Sequence, residues 1–73
     1  MITTTPQTAA EIQTRLRLLY AERALADLEG LADDASYMED LLDEIRGHQS
    51  ALVGAAVTEI ATLRAELGAP VLG

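Results

Sequence analysis

The chain has 73 residues, a net charge of −7, no cysteine and only two aromatic residues, both tyrosines. That length allows one small domain, near the lower limit at which a core sustains itself. The lack of Cys excludes disulfides and thiolate metal sites, and five scattered Arg with no Lys speak against direct nucleic-acid binding.

Ala, Leu, Glu, Asp and Arg dominate, which predicts an all-α fold. No stretch reaches the roughly 18–20 apolar residues of a membrane span. The first residues carry neither a basic nor an apolar signal region, so no membrane partner and a cytoplasmic location are expected.

Residues 1–7 are expected to form a loose N-terminal arm. A first helix follows over 8–29. Thr5-Pro6 suits a helical first turn, and Thr8-Ala9-Ala10-Glu11 supplies a capping box, so the start falls between 6 and 9. This helix has two apolar lines. One runs through Ile12, Leu16 and Leu19 to Arg23. The other, heptad-spaced, is Leu18, Ala21, Leu25 and Leu28. The polar strip is narrow, formed by Glu11, Arg15, Glu22 and Glu29, so the apolar surface exceeds what one neighbour covers.

Gly30 is placed to be the left-handed residue after a helix C-cap, which predicts a turn over 30–35. Asp33, Asp34 and Ser36 are N-cap types, and Ser36-Tyr37-Met38-Glu39 reads as a capping box opening a second helix over 36–67. The rival is a helix running through the turn, since Leu28, Leu31, Ala35 and Met38 keep helical spacing. In the second helix, apolar residues from Met38 through Leu41, Ile45 and Leu52 to Leu67 recur with a period near 3.6. Gly47 and Ser50 are a possible break, which would give three helices, 8–29, 33–46 and 50–67. The phase is unbroken across 45–52 and favours one long helix. Gly68 ends it, Pro70 forbids resumption, and 68–73 form a short tail.

Within that helix, residues 51–63 hold a single charge, Glu59. Leu52, Ala56, Ile60 and Leu63 form one stripe, while Ala51, Gly54, Thr58 and Ala61 make the opposite face small rather than charged. A helix apolar or small all round is buried all round, and so short a chain has little else to bury it with.

Charge is segregated. Residues 27–44 carry Asp27, Glu29, Asp33, Asp34, Glu39, Asp40, Asp43 and Glu44 and no base, so the entire net charge lies in one acidic block. Acids at the start of the second helix suit its positive dipole end and aid solubility. The same block is a candidate surface for a basic partner.

No catalytic, cofactor or metal site is expected. His48 is the only His, and Glu44–His48 lacks the Glu-x-x-His spacing of carboxylate-bridged metal bundles. The acids do not fall in a calcium-loop register, and no phosphate-binding loop or nucleophile–base order is present. Glu59, at the border of the apolar stripe, has no Arg four residues away, so any partner must come from another helix.

The expected architecture is an antiparallel helical hairpin with a short first and a long second helix, which oligomerises into a helical bundle. A compact three-helix bundle is the alternative. Leu18, Leu25, Leu28, Leu41, Ile45 and Leu52 are expected to hold the hairpin. With position x facing about position 65 minus x, the first helix ends opposite about residue 57, and Ile60, Leu63 and Leu67 overhang it. The expected partner interface is Ala51, Gly54, Ala55, Ala56, Ile60, Leu63 and Leu67. The function this supports is non-enzymatic: a small self-association or adaptor module that packs helices against a second copy or another protein. The alternative is an acidic regulator that sequesters a basic protein, in the manner of a nucleic-acid mimic.

Overall fold

The computed structural model describes residues 7–68. The N-terminal residues up to Pro6 and the tail after Gly68, with Pro70, lie outside the described residues. Two helices pack against each other as a hairpin: α1, Ala9–Leu28, and α2, Ala35–Gly68, joined by a single 3-10 turn, Leu31–Asp33. Among the described residues there is no strand.

Local chemistry sets each boundary. Thr8 is the N-cap of α1. Its Oγ1 accepts the Glu11 N–H at 3.2 Å, and the Thr8 N–H donates to Glu11 Oε1 at 2.8 Å, completing the capping box. Glu29 closes α1, and Gly30 follows with φ of +79°, the left-handed conformation that only glycine adopts without strain. The second helix starts at Ala35, one residue before the expected 36 and two before a Ser36 N-cap would place it. Asp34 caps it instead, its Oδ1 accepting the Tyr37 N–H at 3.0 Å; a carboxylate serves the positive helix end better than a hydroxyl. The helix then runs 34 residues through Gly47 and Ser50 without interruption, which rules out three short helices. No atom lies near the position a Cβ would take on Gly47, so its backbone joins the helix freely.

The core is one seam between the helices. Ile12, Leu16 and Leu19 of α1 are buried against Leu41 and Ile45 of α2, with Tyr37, Met38, Leu52 and Ala55 packed at its edges. Near the turn α1 contributes Ala26, only 2% exposed. This corrects the expected seam on α1. Leu18 and Leu28, 60% and 82% exposed, face solvent, as does Leu25. At 100° per residue their line lies roughly 150° round α1 from the Ile12 line, so both cannot meet one neighbour. The polar strip is consistent with the buried Ile12 line. Arg15 donates to Glu44 at 3.5 Å, and Glu22 accepts from the Tyr37 hydroxyl at 2.6 Å. These bonds hold the strip at the edge of the helix interface, with the Ile12 line inward.

The two residue numbers total 59 for the Arg15–Glu44 and Glu22–Tyr37 pairs and 68 or 69 for Ala9–Glu59 and Tyr20–Gln49. These values bracket the expected 65. At 15 Å in its thinnest dimension the molecule is one helix layer thick, since a helix with side chains measures about 10–12 Å across. Each helix therefore keeps outer faces that none of the described residues covers.

Candidate protein-interaction surface

The residues that the sequence singles out on α2 fall into two groups. Ala51, Gly54 and Ala55, with Thr58 and Glu59, line an open groove of about 580 Å³ at the free end of the hairpin, closed on its other side by Gln7, Thr8 and Ile12. Ala55 also packs against the core. Ala56, Ile60, Leu63 and Leu67 lie elsewhere, on a flank of α2 roughly 65° round from the core at 100° per residue.

That flank is strongly apolar. Ile60, Leu63 and Leu67 are 56%, 58% and 75% exposed. Val53 and Val57, which a reading centred on the 3.6 period passes over, are exposed beside them. The signal that marks Val53 is a seven-residue recurrence, Val53 to Ile60 to Leu67; Val57 stands outside it. Monomeric proteins expose single apolar residues routinely, but contiguous apolar surface marks an interaction site.

The length difference between the helices creates the arm. Twenty residues give α1 about 30 Å and 34 residues give α2 about 51 Å. Glu59 marks where α1 stops: its Oε2 accepts the Ala9 N–H at 2.7 Å, in the first turn of α1. Its partner does come from the other helix, as a main-chain amide rather than a cation. A carboxylate there satisfies one orphan amide and meets the positive end of the helix dipole. Residues 60–68 continue beyond it.

The acids gather at the other end of the molecule, and all eight are exposed. Among the described residues only two take part in ion pairs, Asp43 with Arg46 at 2.6 Å and Glu44 with Arg15 at 3.5 Å. Asp34 is used as a cap. Asp27 and Glu29 sit at the C-terminal, negative end of α1, where no base accompanies them and where a negative charge is unfavourable.

His48 Nδ1 lies 2.8 Å from the Glu44 carbonyl oxygen, so it carries the hydrogen and donates one turn back along its own helix. Among the described residues no three His, Asp or Glu side chains converge on one point, and no helix is long and apolar enough to cross a membrane. Thr14, Thr58 and Thr62 each donate to the carbonyl four residues earlier, which uses their hydroxyls within the helices.

No protein-family model matches the chain, and no curated protein or solved structure is similar to it.

Proposed function

We propose that this chain is a non-enzymatic helical self-association module that acts through protein–protein helix packing. The observation that carries the reading is the arm: Ile60, Leu63 and Leu67 stand more than half exposed beyond the end of α1, continuous with exposed Val53 and Val57. Each such side chain is worth about 1.5–3 kcal/mol when fully buried, so a lone hairpin leaves several of its best apolar residues unused. The proposal sets the module in the cytoplasm, in keeping with a fold that uses no disulfide.

The test is a double substitution, Ile60→Asp with Leu63→Asp, read by size exclusion coupled to light scattering. The wild type is expected above the 7.8 kDa monomer mass and the variant at it, with helix content largely retained because neither residue belongs to the hairpin core. A wild type that stays monomeric at a concentration of about 100 μM overturns the reading.

A second reading, capture of a basic protein by the acidic turn, draws support from Asp27 and Glu29, whose charges oppose the dipole of α1. Ionic strength separates the two. Apolar self-association persists at about 0.5 M salt, whereas capture by exposed acids weakens steeply.

A further inference from the structure

We propose that two copies of the chain pair along α2 in opposite directions, in the register that sets Leu42 of one copy against Leu67 of the second. This rests on the self-association reading and adds to it a face, a direction and a register.

The face is a heptad seam. Leu42, Gln49, Ala56 and Leu63 recur every seven residues, and so do Arg46, Val53, Ile60 and Leu67. Interleaved, they step 4,3,4,3,4,3,4 along the helix, which is the spacing of a two-helix seam. The hairpin core uses other positions, Leu41, Ile45, Leu52 and Ala55, so α1 and a second α2 can both be accommodated. From Leu42 to Leu67 the seam is about 38 Å long.

The direction follows from what meets what. In a parallel, in-register pair Arg46 faces Arg46, Gln49 faces Gln49, and the small Ala56 faces its own copy across a gap. The two acidic blocks then lie side by side. Reversed, the same spacings superpose: residues whose numbers total 109 face each other. Leu42 meets Leu67, Arg46 lays its aliphatic stem on Leu63, Gln49 meets Ile60, and Val53 fills the space over Ala56. Gln49 already donates to the Tyr20 hydroxyl at 2.9 Å, so Ile60 of the second copy settles on a satisfied polar pair beside a half-exposed aromatic ring. Antiparallel pairing also places Asp43 beside Arg64 of the second copy, twice by symmetry. Asp43 is exposed and already takes Arg46 of its own helix on Oδ1 at 2.6 Å, so Arg64 joins it as a second cation; Arg64 itself makes no ion pair among the described residues. The acidic turns move to opposite ends, about 44 Å apart along the axis at residue 40, far beyond the Debye length of about 8 Å in physiological salt.

The test uses the absence of native cysteine. Nitroxide labels are placed singly at Asp40→Cys or Ala61→Cys, both off the seam, and distances between copies are measured by pulsed electron paramagnetic resonance on the full chain. The proposed register separates labels at 40 by about 44 Å along the axis and labels at 61 by about 20 Å. Alongside, Arg64→Asp is expected to weaken self-association about fivefold or more, and adding Asp43→Arg to restore it. Equal, short distances at both positions in a species of dimer mass overturn the antiparallel register and leave self-association standing. A monomer by mass overturns both. Failure of the charge reversal to rescue also counts against the register.

Discussion

At the scale of single residues, several polar side chains of this molecule bond one helix to the other. Tyr37 is the clearest case. Its hydroxyl donates to Glu22 across the hairpin, and that bond, followed by partial desolvation and the negative charges of Glu22 and Glu29, holds its pKa above the ordinary 10.0. A raised folded-state pKa means that the contribution to stability is complete below the unfolded value and disappears as pH rises through the folded one. Denaturant unfolding followed across the alkaline range should therefore show the hairpin weakening above about pH 10, and Tyr37→Phe should flatten that decline; identical slopes for the two proteins would show that the phenol does not couple the helices. The sequence placed Glu59 at the border of the apolar stripe, with any partner to come from another helix, and the residue is in fact exposed. That the partner is the Ala9 amide was not legible, because a backbone N–H has no sequence signature and its position depends on where α1 begins.

The elements were legible to the extent that they depend on local chemistry. The Thr8 capping box, Gly30 and the unbroken period across Gly47 act within a few residues of themselves, and all three are realised. The inward face of α1 was not legible, because two lines of Leu and Ile compete on it with similar hydrophobicity. The contacts that accompany the buried face, between Glu22 and Tyr37 and between Arg15 and Glu44, join residues 15 and 29 positions apart, which spacing within α1 does not reveal. The two glycines separate the effects of backbone conformation. At Gly30 an added Cβ meets no atom, so the cost of Gly30→Ala is conformational alone; it should destabilise the hairpin by about 1 kcal/mol. Gly47 lies inside α2 with equally open space, and Gly47→Ala should stabilise by about 1 kcal/mol. Thermal melting of both variants checks the pair. A change of the same sign in each would contradict a hairpin with a left-handed hinge and a continuous α2.

As a whole, the molecule is a single layer with a small core and large apolar outer faces, so its stability should depend on its own concentration. Melting temperature is expected to climb as the wild type is raised from about 10 to about 500 μM, by mass action on a form that only the folded chain assembles. The Ile60→Asp, Leu63→Asp variant should melt at one temperature throughout; a wild type equally indifferent to dilution would mean that the hairpin stands alone. The proposed oligomerisation has its sequence signal only in an excess of apolar faces, since spacing reveals which residues share a face and not what covers it. The hairpin's cross-helix bonds also close loops of increasing length around Gly30. Glu22 and Tyr37 enclose the shortest loop, Tyr20 with Gln49 and Arg15 with Glu44 the next, and Ala9 with Glu59 the longest. Once an inner pair is made, an outer pair closes only the few residues beyond it, at little further entropic cost. This topology favours zipping from the acidic bend toward the free end, where the contact between Ala9 and Glu59 closes the longest loop.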